Sequence, residues 1–293
     1  GFSSVSGVVL NVNNNIDAGE ETIYSGLVQS LSGSAVVYAS QVLGSIEVGS
    51  YIENGDTVTS NKVEISSFVG TMEGGKIYDS SADVEILYRA TEGGSTYGFV
   101  KLNGDKIKSI ENSYTIGSIT TYVDVNMFAF TNGASNTTIN NAYTATYLNW
   151  NDYTSSDNLP DAETTFSIFG LSSGKTNYNL NRVTYDRNAL NVRIIEKRGT
   201  SNTQGGATVD IVEEGVTIET ELEAADPEDT TTTSTLFNEF NTEDDNNNLP
   251  KMKWYQDSNF NYNYPTLNYG YLKTSSYATI TSTSTDGISG YDS

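Results

Sequence analysis

The sequence predicts an all-β chain: an antiparallel β-sandwich of jelly-roll type, built as one large or two tandem β domains with few short helices. Three observations predict it. Ser, Thr, Asn, Gly and Tyr stand where Lys, Glu, Ala and Leu would favour helix. Short strand-like runs punctuated by Gly and Ser recur at the close spacing of antiparallel sandwiches. Two of the three Asn-Gly pairs, Asn54-Gly55 and Asn103-Gly104, each sit between such runs. Asn-Gly supplies the two positive-φ positions that a type I′ hairpin turn needs. No period of about 20 to 50 residues repeats convincingly, so a solenoid is not expected.

The strongest hairpin signal is Tyr97 to Ile110, reading YGFVKL-NG-DKIKSI. Folded about Asn103-Gly104, it sets Leu102 opposite Asp105 and Val100 opposite Ile107. Lys101, Lys106 and Lys108 then share one face of the ribbon. Such a basic ribbon stands out in a chain with 37 acidic and 15 basic side chains and a net charge of -22.

That charge argues against nucleic-acid binding, which needs basic patches to displace counterions. It equally disfavours docking to anionic membranes. No run of about 18 apolar residues exists, so no membrane-spanning helix is expected. Cysteine and histidine are both absent. Their absence removes Ser-His-Asp triads, thiol nucleophiles, Fe–S clusters and His- or Cys-ligated metals. No phosphate-binding glycine motif is present. Carboxylate pairs remain, but with 37 acids some pair always fits a glycosidase spacing, so the sequence predicts no enzyme. A Cys-free chain that starts at Gly1 fits an exported protein from which a leader was removed.

In chain order, Ser4 to Val12 forms a Val-rich strand, with Val8, Leu10 and Val12 on one side. It either closes the chain's own sheet or serves as a donor strand to a neighbouring copy. The Asn13 to Glu21 loop lacks the spacing of an EF-hand and reads as a turn. Strands follow in Leu27 to Ile65, with the Asn54-Gly55 hairpin among them. Asp83 to Ala90 fits either a short helix or a strand and reads as strand from its neighbours, and Tyr114 to Thr131 reads as strand. Asn132 to Pro160 reads as a long loop or domain boundary, separating an N-terminal domain, 1–150, from a second, 161–293. It carries the one glycosylation sequon, at Asn136.

The second block holds TTFSIFGL, LNRVTYD, ALNVRIIEKR, ATVDIVEE and GVTIETELE. Val209 and Ile211 face Val216 and Ile218 around Glu213-Glu214-Gly215 as another hairpin. Residues 224–250 form an acidic, Thr/Asn-rich insertion with the composition of a disordered segment. Its clusters Asp226, Glu228, Asp229 and Glu243, Asp244, Asp245 offer the hard oxygen ligands that calcium takes; the competing reading is a solvated acidic loop. The C-terminal tyrosines Tyr262, Tyr264, Tyr269 and Tyr271 suit either a sugar-stacking platform or core and interface packing.

These features predict a non-enzymatic subunit of a self-assembling extracellular polymer, such as a pilus-like filament, sheath or surface layer. Its partners are copies of itself, a homopolymer joined by β-strand augmentation. The alternatives are a virion structural protein (capsid, tail tube or decoration subunit) and a glycan-binding adhesin module.

Overall fold

The computed structural model describes residues 4–6, 9–17, 22–49, 52–53, 56–57, 63–88, 94–121, 125–150, 165–170, 175–185, 203–204, 207–210, 254–255, 264–267 and 278–280. Every regular element among them is a strand, so the all-β class holds. The antiparallel sandwich does not. Pairing in the three large sheets is parallel throughout, apart from one short ribbon. Parallel neighbours require crossover connections, and here each crossover is a further stretch of strand in another sheet. The chain therefore winds as a stack of coils, a parallel β-helix.

The first coil contains β1 (Ser4–Ser6), β2 (Val9–Asp17), β3 (Thr22–Ser25) and β4 (Val28–Leu31). The second contains β5 (Val36–Tyr38) and β6 (Gln41–Gly49), the excursion β7 (Ile52–Glu53) and β8 (Asp56–Thr57), then β9 (Val63–Ser66) and β10 (Val69–Met72). The third contains β11 (Gly75–Tyr78), β12 (Ser81–Tyr88), β13 (Ser95–Tyr97) and β14 (Val100–Leu102). Next come β15 (Lys108–Thr121) and β16 (Asn126–Phe128), then β17 (Thr137–Thr144), β18 (Tyr147–Trp150) and β19 (Thr165–Ser167). The last coil among the described residues contains β20 (Tyr178–Tyr185), β21 (Thr203–Gln204) and β22 (Ala207–Asp210). Three short strands follow: β23 (Trp254–Tyr255), β24 (Thr266–Leu267) and β25 (Ala278–Ile280).

The first sheet stacks β1, β5, β11, β15, β17 and β20 in one half, and β2, β6, β12, β15 and β18 in the other. The second stacks β3, β9, β13, β16, β19 and β22. The third stacks β4, β10 and β14, with Thr131 bridged to Val100 in the next coil. Pairing of β17 with β20 crosses the expected boundary between 150 and 161 without a break in the sheet. Within the expected boundary loop, β17 and β18 are strands.

Asn103-Gly104 is not a hairpin. Val100 pairs with Val69 and Lys108 with Gly75, so the two flanking runs belong to different sheets. Gly104 has φ 67, but Asn103 is not among the residues with positive φ. A type I′ turn needs both, and one positive φ makes a corner between two walls. The runs that flank Asn54-Gly55 do pair with each other. Ile52 pairs antiparallel with Thr57 and Glu53 with Asp56, a two-residue connection. The hairpin about Glu213-Glu214-Gly215 lies outside the described residues.

Like stacks on like inside the coils. The rings of Phe68, Phe99 and Phe130 follow one another at 4.7 and 4.8 Å, and Phe169 lies 5.2 Å from Phe130. These intervals match the spacing between neighbouring strands. In the first sheet, Ile77, Ile110 and Ile139 share a register position and are all fully buried. Threonines brace the interior. Thr115 Oγ1 donates to Gly98 O at 2.9 Å, and Thr144 Oγ1 to Ala129 O at 3.1 Å. Gly98 has no alternative, because a Cβ there would lie 1.9 Å from Ala129 O in the next coil.

Candidate functional site

The part of the surface that does more than build the wall lies outside the first sheet, where the C-terminal strands return. It starts at a corner. Ala39, Asp79, Asn112, Asn141 and Arg182 occupy one column, each with φ between 48 and 51. Asp and Asn tolerate this left-handed backbone better than other side-chain-bearing residues. The next position holds Ser40, Ser80 and Ser113, each almost fully buried. Their hydroxyls donate to Tyr38 O, Tyr78 O and Glu111 O at 2.9, 2.6 and 2.9 Å. They also accept across coils: Ser40 N donates to Ser80 Oγ and Ser80 N to Ser113 Oγ, both at 3.3 Å. The corner is thus fastened by a ladder of short polar side chains.

From this corner the polar chain reaches outward. Asn112 Nδ2 donates to Asp79 Oδ1, and Asn112 Oδ1 accepts from Trp254 Nε1. Trp254 is 2% exposed and lies against two tyrosines of the outer wall. Tyr114 and Tyr143 are register partners whose rings are 5.0 Å apart and 2° from parallel. The indole meets them at 5.7 and 5.8 Å in a tilted arrangement. Tyr264 stacks on Tyr143 at 6.2 Å. Tyr143 OH donates to Pro265 O, and the hydroxyls of Tyr114 and Thr266 share a bond of 2.7 Å. β23 and β24 pair antiparallel, Trp254 with Leu267 and Tyr255 with Thr266, and Ala39, Ile116 and Ala145 complete this outer cluster. The wall therefore holds a C-terminal arm by an aromatic pile and three polar bonds.

A later strand pairs with the N-terminal coil. β25 pairs parallel with β2 in the register Leu10–Ala278, Asn11–Thr279 and Val12–Ile280. On its other side β2 pairs with β6 over its whole length, Val9 with Gln41 through Asp17 with Gly49. Leu10 and Val12 thus belong to the chain's own sheet, as does β1 through β5. Val8 lies outside the described residues. β3 and β4 end their sheets on this same side of the stack.

The three lysines do not share a ribbon. Lys101 forms an ion pair with Glu64, and both side chains are about four-fifths buried. Lys108 is 1% exposed; its Nζ donates to Gly104 O at 2.9 Å and Lys106 O at 2.7 Å, tying the corner loop. Burial lowers its pKa, opposed by the charge of Asp105. Lys106 alone is exposed. Asn136, the sequon residue, sits in an asparagine pair: its Oδ1 accepts from Asn177 Nδ2 at 3.0 Å while its Nδ2 donates to Asp105 O at 2.6 Å.

Elsewhere on the outer wall Asp83 is half-buried, and burial followed by the neighbouring charge of Glu85 raises its pKa. Among the described residues no cluster of three or more His, Cys, Asp or Glu could hold a metal. The calcium candidates Asp226, Glu228, Asp229, Glu243, Asp244 and Asp245 lie outside them, as do Tyr262, Tyr269 and Tyr271. No helix among the described residues is long and apolar enough to cross a membrane.

Sequence reasoning missed Asp79, Asn112, Tyr114, Tyr143 and Trp254 as one unit. Its signal is present as Tyr38-Ala39-Ser40, Tyr78-Asp79-Ser80 and Glu111-Asn112-Ser113, each ahead of the strand that carries the outer wall. Comparison with protein families, with curated proteins and with solved structures finds no match.

Proposed function

We propose that the chain is a non-enzymatic structural subunit of an extracellular self-assembling polymer, a rigid rod segment that joins to copies of itself. The observation that supports this most is the coil stack. A β-helix grows along one axis, and its terminal strands present backbone donors and acceptors in the register that another coil repeats. Joining such ends head to tail is a heterologous contact, which propagates as a filament. The chemistry of the wall agrees. Ser, Thr, Asn and Tyr form ladders and stacks that hold coil to coil, rather than converging on a reacting centre. The aromatic pair Tyr114 and Tyr143, which would suit a sugar face, is covered by the chain's own Trp254 and Tyr264.

Sedimentation velocity over a range of protein concentrations, with calcium and with a chelator, tests the reading. Growth of long species with concentration is the expected result, and their loss in chelator would assign a cation to the assembly. A monomer at every concentration in both conditions would overturn it.

A further inference from the structure

We infer that β2 is an acceptor for strand exchange, and that the C-terminal strand Ala278–Ile280 of a second copy of this chain is its occupant. The inference rests on the assembly reading and names the contact that would carry it. Four features of the arm lead to it. β25 pairs with β2 in parallel, so it takes the place that a preceding coil would occupy in the stack. Among the described residues it covers Leu10 to Val12 of the nine residues in β2, and Val9 and Asn13–Asp17 have no second strand partner there. Its one strand partner among the described residues is β2, whereas the preceding part of the arm is anchored by Trp254, Tyr264 and Thr266 on the wall. Ten residues separate Leu267 from Ala278, enough chain to span about 33 Å when extended. The anchored arm can therefore present the same short strand to its own β2 or to that of a neighbour.

Three paired residues make a weak hold, and exchange between copies loses no pairing. The intramolecular strand has only its effective concentration as an advantage, which high protein concentration or end-to-end alignment offsets. Parallel strand addition at a sheet edge derives its affinity from main-chain bonds and its register from the column it extends. The roles expected for the N-terminal strand are thereby reversed: it receives a strand, and the C-terminus donates one.

The absence of cysteine makes the test direct. Leu10→Cys and Ala278→Cys are prepared as separate full-length variants, one carrying an affinity tag, mixed under assembly conditions and oxidised. A second pair, Val12→Cys and Ile280→Cys, guards against one variant failing to fold. Register partners on adjacent strands lie within the Cα separation that a disulfide spans. The expected result is a covalent heterodimer that contains both chains and disappears when Thr279→Pro removes a strand N–H. Cross-linking confined to the double variant Leu10→Cys/Ala278→Cys within one chain would overturn exchange, as would no cross-link for either pair. If sedimentation shows long polymers while the mixed variants stay uncoupled, exchange is wrong and assembly stands. If the variants couple but only dimers form, exchange holds and the polymer reading falls.

Discussion

At the scale of single residues, the fold depends on positions where one side chain meets its counterparts one coil above and below. Phe99 lies between Phe68 and Phe130 and is fully buried. Phe99→Ala leaves a cavity in the middle of that pile and is expected to cost about 3–5 kcal/mol. Urea unfolding followed by circular dichroism gives the number, and a loss below about 1 kcal/mol would show that the rings do not support one another. Asp83 carries a pH dependence. Its folded-state pKa is raised, by burial first and Glu85 second, so the folded chain holds this proton more tightly than the unfolded chain. The stability it contributes is present at low pH and lost as pH rises through its folded-state value. Asp83→Asn should therefore match or exceed the parent in stability at neutral pH. The difference should shrink on acidification, in unfolding curves taken from pH 7 down to pH 3.5. The reverse slope would refute the assignment. These residue-level features were partly legible. Asp83 to Ala90 reads as strand only from its strand neighbours, whereas a raised pKa depends on what covers the wall.

At the scale of elements, the arm is the part most open to test. Asn112 holds Asp79 with its amide nitrogen and Trp254 with its oxygen. Asn112→Ala removes its bonds to two buried polar groups and is expected to cost about 1–3 kcal/mol. It should also redden Trp254 fluorescence and speed proteolytic removal of the arm, while core strands stay protected. Unchanged fluorescence and cleavage would mean that the arm does not hang on this bond. The sequence shows the individual strands well but conceals their pairing. An Asn-Gly pair between two strand runs signals a hairpin only if each run's best partner is the other. Here Val100–Leu102 finds Val69–Met72, and Lys108–Tyr114 finds the strands that start at Gly75. The repeat that would have revealed this is uneven. Val28, Val69, Val100 and Thr131 share a column yet lie 41, 31 and 31 positions apart. The longer second coil contains the β7–β8 excursion, which conceals a fixed period. The motif itself is present in Gly26-Leu27-Val28, Ser67-Phe68-Val69 and Gly98-Phe99-Val100.

At the scale of the whole molecule, the all-β class follows from composition, and the topology does not. Composition reports strand preference, which parallel and antiparallel sheets share. The distinction lies in long-range register, where Ser, Thr and Asn serve as interior rungs as readily as surface groups. Assembly, the acceptor edge and the arm all depend on coils stacked in parallel, so that relation merits the most direct measurement. The Cys-free chain allows it through disulfide trapping in two sheets. Lys76→Cys/Ser109→Cys joins register partners in the first sheet, and Ser30→Cys/Thr71→Cys joins partners in the third. With parallel coils, both double variants should form intramolecular disulfides on mild oxidation, read by mass mapping of the linked peptides. Failure of both to form, with the parent fold retained, would contradict the stacked-coil architecture and everything derived from it.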